Sequence, residues 1–414
     1  MTLQHIPHAR LPLTALALVL TLGLGCGDNG GEDDPTPYTS VGGDTTVEED
    51  TATDAGAPGP DSGALVDGDD PPDDPGCQGG SCGSWAAIAG LPNERTLHST
   101  TALQDDTVLV AGGSDASDMT TATAWRLDPE TGQWNNAGAL MGDMEGHRAV
   151  RLKDGRVLIV GGMPTAPSSV AQIFDPEAGS WSLTGSLADG RASHQATLLQ
   201  DGRVLITGGY HGEALSSAEL YDPETGAFTE TAPMNHAHSA HAAVRLGNGT
   251  VLVTGGSDAS GSGTGLVEIY DAGKDTWTEM TSMIFKRFRH TATLLGDGRV
   301  LAVGSMAEAT AEIYNPATDS WAATDSLAVD RYNHTASTLV DGSVLIVGGY
   351  SFSEVSKIAR VERFLPEDDK WVLAADLPEG REEHSATLLE DGRLLIVGGR
   401  GGSGNLKSAL VYTP

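Results

Sequence analysis

The sequence predicts an all-β protein assembled from seven copies of one four-stranded unit and closed into a ring. Three observations carry this reading. Seven aromatic residues, Trp85, Trp134, Trp181, Phe228, Trp277, Trp321 and Trp371, are each followed 27 positions later by a glycine, at Gly112, Gly161, Gly208, Gly255, Gly304, Gly348 and Gly398. A histidine stands 14 positions before each of those glycines, at His98, His147, His194, His241, His290, His334 and His384. Successive glycines are 44 to 50 residues apart, a period that marks a repeat architecture.

The segment from Ala192 to Phe228 shows why each unit reads as four strands. His194-Gln-Ala-Thr-Leu-Leu is a short strand, and Asp201-Gly202 is a hairpin turn whose glycine supplies a positive φ. Arg203-Val-Leu-Ile-Thr is continuously apolar before Gly208-Gly209, as a strand covered on both faces must be. Ala218-Glu-Leu-Tyr-Asp222 is the third strand, and Pro223-Glu-Thr-Gly226 is the turn that leads to Phe228 in the fourth. Asp154-Gly155, Asn248-Gly249, Asp297-Gly298, Asp341-Gly342 and Asp391-Gly392 repeat the first turn, so hairpins and almost no helix are expected. A diglycine followed by a tryptophan at this period resembles the kelch repeat, and the resemblance implies one propeller blade per unit. The last unit stops after its third strand at Tyr412-Thr413-Pro414, while Trp85 is a fourth-strand tryptophan with no unit before it. Pairing the two closes a seven-bladed ring over residues 84–414 and leaves no open sheet edge.

Residues 1–25 read as a secretion signal, with Arg10 ahead of the short apolar run Leu11 to Leu24. Leu22-Gly-Leu-Gly-Cys26 resembles the bacterial lipobox, which implies lipidation at Cys26, although Gly23 stands where that motif prefers leucine. Residues 26–83 are expected to form an acidic disordered tether. From Gly27 to Ser84 there are 15 acidic residues and neither Lys nor Arg, a composition that cannot bury enough apolar surface to order itself. Cys77 and Cys82 sit just before the ring and are expected to form a local disulfide in an exported protein.

The formal net charge is −33, with acid in both tether and ring. Nucleic acid is therefore not an expected partner, because phosphate binding needs a basic footprint. Contact with a membrane is expected only through the lipid anchor, at the outer membrane or cell surface, with a periplasmic or secreted protein as the alternative. A monomer is expected.

Candidate chemistry concentrates at one end of the ring. The short turns between first and second and between third and fourth strands are uniform, whereas the intervals from glycine to next aromatic run from 17 to 23 residues. Loops that vary on a constant scaffold are where specificity resides. The segments Ser114 to Thr120, Tyr210 to Leu215, Ser257 to Gly265 and Tyr350 to Ser356 are the first candidates, with Tyr210, His211 and Tyr350 as contact residues. Three positions before the histidines stand Arg95, Met144, Arg191, His238, Arg287, Arg331 and Arg381. Five arginines at one blade position are either an anion-recognising surface or a set of internal pairs with neighbouring carboxylates or backbone. Phe285-Lys-Arg-Phe-Arg289 is the one dense basic run, and Lys286, Arg287 and Arg289 are expected to form an anionic-ligand patch.

No catalytic residue, metal site or cofactor is assigned. Histidines repeated once per blade are spread around the ring and do not converge on an ion. Glu219, Glu268, Glu312 and Glu362 recur in the third strand, which favours structural pairing over catalysis. Some kelch propellers are oxidases similar to galactose oxidase, whose copper site uses a tyrosine crosslinked to a cysteine; from Gly83 to Pro414 this chain has no cysteine. Sialidase aspartate boxes are missing from the turns, and the pattern of sialic acid epimerases has no residue-by-residue match. Glu145, Asp330, Glu382 and Glu383 could act as acid or base, but the sequence singles out none of them. The expected work is non-catalytic binding of a protein or glycan through the variable loops. A carbohydrate-active enzyme is the alternative, and a structural envelope component comes third.

Overall fold

The computed structural model describes residues 82–306 and 308–414. Residues 1–81 hold the signal, Cys26, Cys77 and nearly all of the tether, so those expectations lie outside the described residues. Cys82 is disulfide-bonded.

Seven four-stranded antiparallel sheets surround one axis, and no helix occurs among the described residues. Blade 1 is built from Ser99–Ala102, Val108–Ala111, Thr123–Asp128 and Gln133–Ala139. Blades 2 to 6 span 148–183, 195–230, 242–280, 291–323 and 335–373. Blade 7 takes Ser385–Leu388, Leu394–Val397 and Ala409–Thr413, and its outer strand is Ser84–Ile88 from the other end of the ring. Trp85 lies opposite Tyr412 in that pairing, so the closure expected from the incomplete terminal units is the one observed. First strands touch from blade to blade around the full circle, including the contact between Ser99–Ala102 and Ser385–Leu388. Short two-stranded hairpins extend the second-to-third connections of blades 6 and 7.

Each blade buries its second strand completely, because both faces are covered by neighbouring blades. In Val108–Ala111, Leu109 and Ala111 pack with Val157 and Ile159 of blade 2, while Val108 and Val110 pack with Leu395 and Val397 of blade 7. Alternate residues point to opposite faces of a strand, so a four-residue apolar run supplies two separate interfaces. Each fully buried Val or Leu contributes about 1.5–3 kcal/mol from apolar burial. The core is therefore a circle of blade-to-blade clusters.

The two turn types confine loop variation to one end. In the first turn Asp201 Oδ1 accepts the Arg203 amide at 3.0 Å and Gly202 sits at φ 101°, a left-handed value that disfavours any side chain. At the outer edge, fourth-strand tryptophans tie to the preceding blade: Trp181 Nε1 donates to the Ala137 carbonyl at 2.8 Å and Trp85 Nε1 to the Ala375 carbonyl at 2.7 Å.

Candidate functional site

Every first strand begins at the end of the ring that carries the variable connections, and the repeated histidine marks that point. Each imidazole reaches toward the preceding blade and packs under its diglycine. A Cβ added to Gly161 would sit 2.4 Å from His194 Cε1, so only glycine fits there. The second glycine of the pair donates across the same seam, as from Gly162 to the Arg191 carbonyl at 2.9 Å. Six histidines bond a hydroxyl through Nε2: His98 to Ser385, His147 to Ser99, His241 to Thr207, His290 to Thr254, His334 to Thr291 and His384 to Thr335. Burial pushes His98, His147, His290 and His384 down to about 3 and the other three well below their usual value. All seven are thus held neutral, as a buried imidazole without a carboxylate partner must be.

The arginines three positions earlier lie inside the blades. Arg95, Arg191, Arg287, Arg331 and Arg381 are 0–1% exposed, and each donates through Nη1 to the carbonyl of its blade's first glycine at 2.8–3.1 Å. Arg191, Arg287 and Arg331 also pair with Glu219, Glu312 and Glu362 at 2.8, 2.8 and 2.6 Å. Blade 4 substitutes His238 paired with Glu268, and blade 2 replaces both members with Met144 and Gln172. Internal pairing, rather than an anion-recognising surface, is where this arginine set goes. The basic run divides for the same reason: Lys286 is exposed, Arg287 is buried, and Arg289 points to the axis. These three residues do not form one patch.

Between the arginine and histidine layers the chain makes a tight corner. The residue just before each histidine takes a left-handed φ between 51° and 61°: Leu97, Gly146, Ser193, Ala240, Arg289, Asn333 and Glu383. Their backbones link blade to blade, from Gly146 N to Leu97 O at 3.0 Å, Ala240 N to Ser193 O at 2.9 Å and Arg289 N to Ala240 O at 2.8 Å. This girdle rims an axial cavity of about 430 Å3. Besides Ser193 of blade 3, the polar members sit together in blades 5, 6 and 7, where Arg289 Nη1 donates to Asn333 Oδ1 at 3.4 Å and Asn333 Nδ2 donates to Glu382 Oε2 at 3.1 Å. Burial, reinforced by the Glu382 carboxylate, pushes the Glu383 carboxyl up to about 7, against the opposing pull of Arg289, Arg400 and the Thr96 hydroxyl. Such a group is part protonated near neutrality and can donate or accept a proton.

Arg148 also lines this cavity. It occupies the first-strand position that holds Ser99, Thr291, Thr335 and Ser385 in four blades and Gln195 and Ala242 in the other two. Its Nε donates to the His194 carbonyl at 2.8 Å, while the fully buried His194 Nε2 has no hydroxyl to bond. Comparing repeats at the position after each histidine would have found it.

The remaining acids and loop residues take distinct places. Asp330 closes the blade 6 loop by accepting from Ser351 Oγ at 2.8 Å and from the Phe352 amide at 2.8 Å. Glu145 accepts from Ser114 Oγ. Tyr350 stacks against Tyr332 with ring centroids 5.6 Å apart, Tyr210 is half-buried and His211 is exposed. Across the ring closure, Arg400 Nη2 bonds Asp118 at 2.5 Å and Asn405 Nδ2 bonds the Asp115 carbonyl at 2.6 Å. Met119, Met141, Ile284, Phe352 and Val355 are large exposed apolar residues on connections at this same end.

Among the described residues no three His, Cys, Asp or Glu side chains come together as a metal-binding set. With no cysteine in the ring, the tyrosine–cysteine copper centre of the galactose oxidase type does not fit these residues.

Seven blades, six with a diglycine corner and blade 5 with Gly304-Ser305, six with a fourth-strand tryptophan and blade 3 with Phe228, define a kelch-type β-propeller. A family model described as Attractin/LZTR1 beta-propeller matches residues 84–304, and one for the Kelch motif matches 331–378. The first covers more than half of the 414 residues, and the chain belongs to the Attractin/LZTR1 beta-propeller family. Among solved structures, it is similar to a fungal alcohol oxidase of the AA5 family in complex with copper, at 17% identity and a TM-score of 0.68, over 81% of this chain and 77% of that one. At that identity the likeness concerns the fold. No curated protein matches the chain in sequence.

Proposed function

We propose that the protein is an exported, membrane-tethered kelch propeller that binds a protein or glycan, without catalysis, through the end of the ring that carries the histidine corners and variable connections. One observation carries this reading. Seven corners with one backbone conformation present seven different residues, beside connections that differ in length and expose Met119, Met141, Ile284, Phe352 and Val355. Exposed apolar anchors on a rigid frame are what an interaction surface needs. Secretion and a lipid anchor at Cys26 rest on the sequence of residues 1–26, and Cys26→Ala should release the protein from membranes.

The test is capture from a surface proteome and a glycan array by the full chain, compared with a Phe352→Ser, Val355→Ser variant. Specific capture that the variant loses supports the reading; capture unchanged in the variant, or none, counts against it. A carbohydrate-active enzyme is the second reading, and Glu383 is the observation that favours it, being a carboxyl at about 7 on an axial cavity. Turnover of an offered glycan that Glu383→Gln abolishes would move the conclusion there.

A further inference from the structure

We propose that the axial cavity is a binding site for a small oxyanion-bearing molecule, a carboxylate or phosphate ester no larger than a sugar unit, held between Arg148 and Arg289. This site lies at the axis, inside the ring of corners, whereas Phe352 and Val355 lie on the outer connections. Arg148 and Arg289 bring two guanidiniums to one cavity of about 430 Å3 in a chain of net charge −33. Among the described residues neither has a carboxylate within ion-pair distance, although the interior arginines of blades 3, 5 and 6 each have one. Arg148 spends one donor on the His194 carbonyl and Arg289 makes a long contact to Asn333. Guanidinium donors left over in a cavity lined by neutral histidines suit the planar or tetrahedral oxygens of an oxyanion.

Arg148 also costs the fold something. A serine or threonine there would satisfy His194, as it satisfies His147, His334, His384 and His98 in their blades. Gln195 of blade 3 and Asn333 and Glu383 of blades 6 and 7 line the same cavity and offer amide and carboxyl partners for hydroxyls of the bound molecule. The cavity volume matches a small ligand.

The experiment is calorimetric titration of the full chain with glucuronate, inorganic phosphate and uncharged glucose. Glucuronate or phosphate should bind at least about tenfold more tightly than glucose, the difference of roughly one charge-assisted contact. Arg148→Met and Arg289→Met should each weaken the anion by about tenfold or more. If Arg148→Met does not fold, Arg289→Met at the cavity rim reads the same expectation. Equal binding of glucuronate and glucose, no binding of either anion, or anion binding indifferent to the folded variants would overturn the proposal. Loss of capture in the loop variant with anion binding retained would separate this site from the face.

Discussion

The seven histidines and the seven residues just before them share one corner of the backbone and have opposite fates. The histidines are identical, buried and neutral, and each serves the seam with the preceding blade. Their predecessors share a left-handed φ and a girdle of backbone bonds, yet run from Leu97 and Gly146 to Arg289, Asn333 and Glu383. A side chain that plugs a seam is constrained by what it touches, so every blade needs the same one. At the axis only the backbone is constrained, and the side chain is free to differ. Identity between blades marks the fold, and difference at a constant backbone marks the surface available for recognition.

Acid should break this comparison most severely. A histidine whose folded pKa lies near 3, against an ordinary 6.5, binds fewer protons folded than unfolded. Its contribution to stability is complete above 6.5 and is lost as pH falls toward 3, by about 1.4 kcal/mol per histidine per pH unit. With seven such groups and a typical stability of about 5–15 kcal/mol, the ring should unfold cooperatively by about pH 5, followed by circular dichroism. A ring still folded at pH 3 would refute the neutral histidine layer.

Removing one member of a buried pair comes next. Arg331→Met strands Glu362 and should cost about 3–5 kcal/mol in urea unfolding, while Arg331→Met with Glu362→Leu should recover most of it. His334→Ala should cost roughly 2–4 kcal/mol through a lost hydroxyl bond and a cavity at the seam with blade 5. Its neighbour sharpens the contrast: Asn333→Gly keeps the left-handed corner and should change stability by less than about 1 kcal/mol. Glu383 should respond to pH in the sense opposite to the histidines. Its folded pKa is raised, so ionisation as pH rises through about 7 is resisted by the fold, and Glu383→Gln should gain stability relative to the parent chain above that pH. Thermal melts at pH 6 and 8.5 would show it.

Much of the fold was legible because packing repeats. Spacing alone located the blades, the Asp-Gly turns and the closure of Trp85 on Tyr412, since each seam demands the same residue types at the same intervals. The site was harder to read. Repetition left the five arginines three positions before a histidine open between a recognition surface and internal pairing, and internal pairing is what burial in a seam produces. Lys286, Arg287 and Arg289 lie within four positions yet face solvent, interior and axis, because the chain turns its corner there. Arg148 is one of three residues, with Gln195 and Ala242, that interrupt the hydroxyls at that position, and it alone is charged.

The sequence by itself determined the blade count, the strand order within a blade and the end of the ring at which variation collects. These follow from local periodicity and turn chemistry, which act over a few residues. Only the tertiary structure decided that Arg148, Arg289, Asn333 and Glu383, spread over 236 positions from first to last, share one cavity. Ring closure brings the start of every blade to a common axis, and no spacing along the chain records which side chains then face each other across it.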